Sequence, residues 1–245
     1  MDWHARFTQQ ATWTRDLRRY LFAQAGLNSA RRILEVGCGT GVLLQELAMR
    51  KTLAVHGVDI EAGRLLEARV HAPGAVLARG DALALPYPAA AFDLTFCHFL
   101  LLWVADPLQA LGEMRRVTRP GGAVLALAEP DYGRRLDAPA ALEPLGRWQA
   151  EALRRQGADP DLGRRLADLF RRAGIPPVET GTLQERGERR PAPGEREQEW
   201  AVLDSDLAGL VPEADLQRLK RLDEAAWAAG ERRLYVPTHF AWGRP

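Results

Sequence analysis

The stretch Ile33–Gly41, which reads Ile-Leu-Glu-Val-Gly-Cys-Gly-Thr-Gly, constrains the fold more than any other part of the sequence. An apolar run leads directly into three glycines, and a helical pattern follows them. Glycine lets a backbone turn sharply and approach a ligand closely, and the start of the next helix offers free N–H groups. A strand, a glycine turn and a helix in this order predict a nucleotide-binding unit of an α/β protein.

The spacing of these glycines distinguishes between cofactors. They are Gly37, Gly39 and Gly41, and Val42 stands where the dinucleotide fingerprint G-x-G-x-x-G would place its third glycine. Glu35 comes just before the first glycine, where a pyrophosphate would meet an unfavourable negative charge. A cofactor with a cationic amino-acid end suits Glu35 better, although this acid could also serve only as an acceptor for the amides of the turn. The motif therefore argues against NAD.

Short apolar runs alternate with helical patterns along residues 31–130. The runs predict five strands, over Arg32–Val36, Leu53–Val58, Val76–Ala78, Phe92–Cys97 and Ala123–Ala128. Before the fifth strand, Asp106 can cap a helix that has Pro107 in its first turn. Strand–helix alternation with such short links favours a parallel sheet that is covered by helices on both faces.

The segments on either side of this alternation have helical patterns. Trp13, Leu17, Tyr20 and Leu21 predict an amphipathic helix over residues 12–25. Later patterns predict helices over Leu142–Gln156, Leu162–Ala173, 198–210 and 213–230, strands over Pro176–Gln184 and Leu234–Trp242, and an exposed loop over 185–197. We therefore expect a helical cap over 1–30, a core over 31–184 and 233–245, and a helical insertion over 185–232 that could act as a substrate lid.

Further motifs follow the predicted strands in a fixed order. They are Asp59 after the second strand, Gly80-Asp81-Ala82 after the third, Phe92-Asp93-Leu94 at the start of the fourth and Arg119-Pro-Gly-Gly122 before the fifth. Together with Ile33–Leu44, which carries LEVGCGTG, they resemble the class I S-adenosylmethionine-dependent methyltransferases. The resemblance covers residues 31–130. It is strongest to the small-molecule branch of methyltransferase type 11, which includes quinone-biosynthesis and sterol-type enzymes.

The resemblance implies a Rossmann-like α/β fold with seven mostly parallel strands, an antiparallel last strand and helices on both faces. It implies S-adenosylmethionine as cofactor, S-adenosylhomocysteine as product and no metal ion. The family's acid after the second strand, here Asp59, accepts hydrogen bonds from both ribose hydroxyls, and its acid after the third strand, here Asp81, lies near the adenine amino group. The residues expected at the cofactor are Glu35, Gly37, Cys38, Gly39, Gly41, Asp59, Ile60, Asp81, Ala82 and His98.

The resemblance places the end of the fourth strand opposite the transferred methyl group, so His98 is the candidate catalytic base. It could equally line the cofactor pocket with a single hydrogen bond. Methyl transfer is an in-line displacement that depends on positioning, and a base is needed only where the acceptor must lose a proton. The residues predicted to contact the substrate are Trp13, Tyr20, Glu129 and Tyr132.

The bulk composition narrows the choice of partners. A net charge of +1 gives no electrostatic case for nucleic acid or a membrane surface. The start of the chain lacks the pattern of a signal peptide, and no apolar run is long enough for a membrane span, so we expect a cytoplasmic monomer or homodimer. The sequence thus predicts methyl transfer to an O, N or C atom of a small molecule. RNA or protein methylation, a non-catalytic cofactor-binding scaffold and an NAD-dependent oxidoreductase are the alternatives.

Overall fold

The computed structural model describes residues 2–183 and 194–245 of the chain. Its strands are β1 (Arg32–Val36), β2 (Ala54–Asp59), β3 (Val76–Arg79), β4 (Phe92–Cys97), β5 (Thr118–Pro130), β6 (Leu136–Ala138), β7 (Pro177–Thr182), β8 (Arg233–Tyr235) and β9 (Thr238–Gly243). Its α-helices are α1 (Trp3–Trp13), α2 (Arg15–Ala25), α3 (Val42–Ala48), α4 (Ala62–His71), α5 (Pro107–Val117), α6 (Pro144–Arg155), α7 (Leu166–Arg172), α8 (Glu195–Leu207) and α9 (Glu213–Ala228).

Within the described residues, seven strands form one sheet in the order β3-β2-β1-β4-β5-β9-β7. β9 runs antiparallel to β5 and β7, and the remaining strands of the sheet share one direction. This confirms the predicted Rossmann-like sheet with an antiparallel last strand. The strand order reverses between β1 and β4, and ligands of open α/β sheets bind beyond the carboxyl ends of the strands at such a reversal.

The two faces of the sheet pack against different helices. Side chains alternate along β1, so Ile33 belongs to the hydrophobic core that contains Leu44 of α3. Leu34 belongs to the core on the opposite face, with Met114 of α5 and Phe170 of α7. All five side chains are fully buried, and burial of one such side chain contributes about 1.5–3 kcal/mol. Both faces therefore hold β1 in place beneath the glycine turn.

The start of α5 confirms the capping prediction. The Asp106 carboxylate accepts a hydrogen bond from the Gln109 N–H at 3.0 Å, and Pro107 is the first helical residue. The helix ends at Val117, and β5 begins at the next residue, Thr118, ahead of the predicted strand. The Thr118 hydroxyl donates to the Met114 carbonyl at 2.7 Å, so it satisfies one of the free carbonyls at the helix end.

The prediction of a single helix over residues 12–25 is wrong, because the chain breaks into α1 and α2 at Thr14. Thr14 has φ −103° and ψ 4°, outside the helical geometry of its neighbours. The Arg18 guanidinium donates to the Thr14 hydroxyl at 2.6 Å and to the Ala11 carbonyl. These bonds satisfy the end of α1 and allow it to change direction over the sheet.

The predicted last strand over Leu234–Trp242 is divided between two sheets. β8 pairs with β6 in a two-stranded sheet, and β9 lies between β5 and β7. Pro237 stands between them, and it has no N–H with which to continue a ladder. The chain therefore forms two strands, one before and one after this proline, and each pairs in a different sheet.

The predicted helical insertion over 185–232 contains α8 and α9. The predicted loop over 185–197 lies mostly outside the described residues, and α8 begins at Glu195, three positions earlier than the helix predicted from 198. The two helices pack against α6 and the segment before it and form a separate hydrophobic core. This core includes Leu142, Leu145, Trp200, Leu203, Leu207 and Leu219. Among the described residues, none of the helices has the length and apolarity that a membrane span requires.

Candidate active site

The glycine turn after β1 forms one wall of a cavity at the reversal of strand order. Gly37 and Cys38 donate their N–H groups to the Val58 carbonyl at 2.8 and 3.0 Å, which ties the turn to β2. Gly39 has φ +51°, and a Cβ there would lie 2.9 Å from the Phe7 ring of α1. Only glycine therefore fits where α1 crosses the turn. This cavity has a volume of about 610 Å³, and we call it the loop cavity.

Asp59, the last residue of β2, borders the loop cavity and is 6% exposed. One carboxylate oxygen accepts a hydrogen bond from the Gly39 N–H at 2.8 Å, and the other accepts one from the Glu61 N–H at 2.9 Å. Each carboxylate oxygen has capacity for a further hydrogen bond. Asp59 is therefore fixed by the backbone and can still accept from two hydroxyl groups of a ligand.

Glu35 lies in β1 beneath the turn and lines the loop cavity. Its Oε2 atom is buried and has no hydrogen-bond partner among the described residues. Burial raises the pKa of the Glu35 carboxyl well above its ordinary value, and the Arg18 guanidinium acts in the opposite direction. A buried carboxyl oxygen without a partner is costly. This atom therefore indicates a ligand that donates a hydrogen bond from an ammonium or N–H group.

The structure brings together all but one of the residues predicted to hold a cofactor. The loop cavity is lined by Glu35, Gly37, Cys38, Gly39, Asp59, Ile60, Asp81, Ala82 and His98. Gly41 does not line it. Gly41 has φ +82° at the start of α3, and a Cβ there would lie 3.1 Å from the Cα of Ala68. Its role is to let α3 approach α4 closely.

Helix α1 forms the roof of the loop cavity, which sequence analysis did not predict in this detail. Trp3 and Phe7 line the cavity, and the Arg64 guanidinium of α4 lies 5.6 Å from the centroid of each ring. His4 Nδ1 lies 2.9 Å from the Thr40 hydroxyl in the glycine turn. The i, i+4 spacing of Trp3 and Phe7 was the only sequence signal for this contact, and it also fits ordinary helix packing.

His98 follows β4 and lines the loop cavity, as the catalytic hypothesis requires. Its Nε2 atom is 2.9 Å from the Thr14 hydroxyl at the break between α1 and α2. Burial and the nearby Arg18 guanidinium lower the pKa of His98 to about 3. A base with so low a pKa is a weak proton acceptor near neutral pH. The geometry thus favours the alternative, a neutral residue of the pocket wall that connects it to the cap.

We expect His98 to remain neutral from pH 5 to pH 8, because protonation would place a charge in a buried site near Arg18. The measurement is the pH dependence of the imidazole C–H resonances by NMR. The His98 signal is assigned by its absence in the variant His98→Asn. A midpoint for that signal inside this pH range would contradict the expectation and restore His98 as a general base.

A second cavity of about 920 Å³ adjoins the loop cavity. Aromatic side chains from α1, α8, α9, β8 and the segments after β4 and β5 line it, and we call it the aromatic cavity. These side chains are Trp13, Phe99, Tyr132, Trp200, Trp227 and Tyr235. Arg6, Phe99, Pro130 and Tyr132 line both cavities. We call these four residues the junction, because they border both cavities.

The predicted substrate contacts are divided by this geometry. Trp13 and Tyr132 line the aromatic cavity, and Tyr132 also belongs to the junction. Tyr20 lines neither cavity. It is 47% exposed on α2, and its hydroxyl donates to Glu179 of β7 at 3.2 Å. Helical spacing placed Tyr20 on the same helix as Trp13, but the break at Thr14 turns it toward the outside of the sheet.

Glu129 of β5 is also separated from both cavities, because its carboxylate is fully buried under the segment that follows β4. It accepts hydrogen bonds from the N–H groups of Leu100 and Leu101 at 3.1 Å each and from that of Leu102 at 3.3 Å. Burial raises the pKa of Glu129 to about 7, although these three N–H groups act in the opposite direction. Its role is to fix the segment that carries His98.

Comparison with known proteins agrees with the geometry of the loop cavity. Residues 34–126 match the family model of the methyltransferase domain. These residues are fewer than half of the chain, and this stretch is similar to methyltransferase domains. The match spans β1 to β5. It therefore includes the glycine turn after β1, Asp59 at the end of β2 and Asp81 after β3.

Curated proteins that are similar to part of this chain include two bacterial enzymes. The malonyl-[acyl-carrier protein] O-methyltransferase of Halorhodospira halophila is 41% identical over 99 residues, which are 39% of this chain and 34% of that protein. The demethylmenaquinone methyltransferase of Deinococcus radiodurans is 40% identical over 121 residues, which are 47% of this chain and 50% of that protein. The chain therefore spans half or less of the length of these relatives.

A solved structure extends the likeness beyond residues 34–126. A candidate methyltransferase of Bacillus halodurans superposes with a TM-score of 0.66 and covers 94% of this chain and 98% of that one. The two sequences are only 16% identical. This likeness concerns the fold alone.

Proposed function

We propose that this protein transfers a methyl group from S-adenosylmethionine to an O, N or C atom of a small-molecule acceptor. The observation that carries the proposal is the buried carboxyl oxygen of Glu35 beside the glycine turn, which has no hydrogen-bond partner in the part of the chain that the structure describes. The α-ammonium group of S-adenosylmethionine is a donor of the kind that this atom lacks. NAD has no such group in the corresponding place, and the oxygens of its pyrophosphate are acceptors that offer no hydrogen bond to this atom.

The residues of the loop cavity fit the remaining parts of the cofactor. Asp59 has acceptor capacity for two ribose hydroxyls, and Asp81 stands beyond β3 for the adenine amino group. When bound, S-adenosylmethionine supplies an electrophilic methyl group on a sulfonium sulfur. Trp3 and Phe7 of α1 line the site beside the glycine turn, and methyl transfer depends on holding the two reactants in a fixed orientation.

The aromatic cavity is the proposed acceptor site. Its volume of about 920 Å³ is in the range of cavities that enclose a drug-sized molecule. The cap over residues 1–30 contributes Trp13 to its wall, and the insertion over 185–232 contributes Trp200 and Trp227. We propose that these two segments, added to the core over 31–184 and 233–245, determine which acceptor is bound.

Calorimetric titration with S-adenosylhomocysteine and NAD tests the cofactor assignment. We expect S-adenosylhomocysteine to bind and NAD not to bind. The variant Glu35→Gln should weaken S-adenosylhomocysteine at least about tenfold, because a charge-assisted hydrogen bond contributes about 1.5–3 kcal/mol. As a control, 5′-methylthioadenosine lacks the amino-acid end and should bind equally to both forms. Tight NAD binding would refute the assignment. So would an equal loss of affinity for S-adenosylhomocysteine and 5′-methylthioadenosine in the Glu35→Gln variant.

Methyl transfer itself is tested with methyl-labelled S-adenosylmethionine and a metabolite extract, followed by mass identification of the labelled product. A labelled small molecule that is absent from reactions with denatured protein supports the proposal. Binding of S-adenosylhomocysteine without a labelled product from any extract would instead indicate a non-catalytic scaffold. A label that appears only in RNA or protein would move the acceptor to a macromolecule.

A further inference from the structure

Three arginines are buried near the aromatic cavity, and their charge pairing differs. The side chains of Arg135 and Arg232 are 0% and 2% exposed, and that of Arg6 is 8% exposed. Burying a guanidinium is costly unless anions and hydrogen-bond acceptors surround it. The partners of each arginine therefore show whether the protein alone satisfies its charge.

Arg135 and Arg232 are each satisfied by two carboxylates. Arg135 donates to Asp137 at 2.8 Å and to Glu199 at 2.9 Å. Arg232 donates to Asp137 at 2.6 Å and to Asp223 at 2.5 Å. These bonds form a closed network of charged groups between the core and the insertion, and they leave neither guanidinium in need of a ligand.

Within the described residues, Arg6 has an ion pair with Glu199 but no carboxylate at hydrogen-bond distance. Its nearest acid, Glu199, is 3.6 Å from Nη2, and the hydrogen bond of Glu199 goes to Arg135 instead. Among the residues that the structure describes, the side-chain acceptor that Arg6 reaches is the neutral Gln9, at 2.7 Å, and the Arg6 guanidinium lies 5.1 Å from the centroid of the Trp13 ring. Arg6 is also the one charged residue of the junction.

From this contrast, and resting on the proposed function, we propose that Arg6 binds an anionic oxygen of the acceptor at the junction. The acceptor is then a planar aromatic compound whose phenolate, enolate or carboxylate oxygen faces the loop cavity while its ring system occupies the aromatic cavity. The indole and phenol rings of Trp13, Trp200 and Tyr132 supply flat apolar surface for such a ring.

The other charged groups of the aromatic cavity agree with this assignment. Asp223 and Glu199 are occupied by Arg232 and Arg135, and Glu195 also has a partner, so these acids are not free to bind an ammonium group. An amine acceptor would also gain positive charge during methylation, which the Arg6 guanidinium would oppose. The site therefore selects against amines and in favour of oxygen acids.

Methyl transfer to an anionic oxygen needs no general base. A lone pair of the anionic oxygen forms the new O–CH₃ bond as the bond from the methyl group to sulfur breaks, and that electron pair stays on sulfur. The positive charge of the sulfonium and the negative charge of the acceptor disappear together, and the product is a neutral ether or ester. A neutral His98 is compatible with this reaction, because the acceptor is already deprotonated.

The test compares 2-naphthoate with 2-naphthamide, which share the ring system and differ in charge. Each is titrated by calorimetry into the protein with and without S-adenosylhomocysteine. We expect the carboxylate to bind about 10- to 100-fold more tightly than the amide, which is the range for a charge-assisted hydrogen bond. Arg6→Met should abolish this preference, and Arg6→Lys should retain part of it. Arg19→Met, which removes an exposed charge from α2, should leave it unchanged.

Equal affinity for the two probes, a preference that survives Arg6→Met, or no binding of either probe at millimolar concentration would overturn the proposal. Circular dichroism melting identifies a variant that fails to fold, and Arg6→Lys then decides the question. Failure of S-adenosylhomocysteine to bind counts against the proposed function alone. The titrations without it still show whether Arg6 recognises an anionic oxygen.

Discussion

Replacing Asp59 with alanine is expected to lower the affinity for S-adenosylhomocysteine by about 100-fold or more. The carboxylate has free acceptor capacity on both oxygens and lies at the edge of the loop cavity. Two charge-assisted hydrogen bonds to ribose hydroxyls contribute about 1.5–3 kcal/mol each, and tenfold in affinity corresponds to about 1.4 kcal/mol. Calorimetric titration with S-adenosylhomocysteine measures the loss directly.

The substitution also removes the acceptor for the N–H groups of Gly39 and Glu61, so part of its effect acts through the shape of the turn. Asp59→Asn separates the two contributions. An amide keeps one acceptor oxygen and much of the shape, so it should preserve the melting temperature better than the affinity. Unchanged affinity in Asp59→Ala would show that the turn after β1 does not bind a nucleoside here.

The residues of the loop cavity could be predicted from the sequence because each belongs to a short motif at the end of a strand. Gly37, Asp59 and Asp81 each come at or just after the carboxyl end of a parallel strand, and parallel strands bring those ends to one edge. Short apolar runs fix the strands, so the motif spacing also determines where these residues meet. The same reasoning accounts for the correct prediction of the sheet.

The junction could not be predicted in this way. Arg6 and Glu199 lie near opposite ends of the chain, and their approach depends on how α1 and α8 pack over the sheet. Neither helix has a local motif for that contact. The break at Thr14 is similar, because the Arg18 side chain that satisfies the end of α1 is typical of any helix surface.

Asp59 and Glu129 show the limit of reasoning from strand ends. Both acids stand near the carboxyl end of a strand in the same sheet, but only Asp59 borders the loop cavity. The direction of Glu129 is set by three N–H groups of the segment Leu100–Leu102, which no strand pattern reveals. A buried acid can therefore be needed for the site without touching a ligand.

Replacing Glu129 with alanine is expected to lower the free energy of unfolding by about 3–9 kcal/mol. The change leaves the N–H groups of Leu100, Leu101 and Leu102 buried without an acceptor, and each such loss costs about 1–3 kcal/mol. Urea denaturation measures the change. Glu151→Ala, which removes an exposed carboxylate from α6, should stay within about 0.5 kcal/mol of the unsubstituted protein. A similarly small effect at Glu129 would contradict this account.

The pH dependence of stability provides an independent test of the same residue. Burial raises the pKa of Glu129 from its ordinary value of 4.5 to about 7, so the folded protein favours the protonated carboxyl. The contribution of this group is fully present below pH 4.5 and is lost as the pH rises toward 7, by about 3 kcal/mol in total. Glu129→Gln cannot ionise and should lack this loss. Urea denaturation at pH 5 and pH 7.5 measures the free energy of unfolding of the unsubstituted protein and of Glu129→Gln. We expect the difference between these two free energies to change with pH. Parallel pH profiles would show that Glu129 does not titrate in this range.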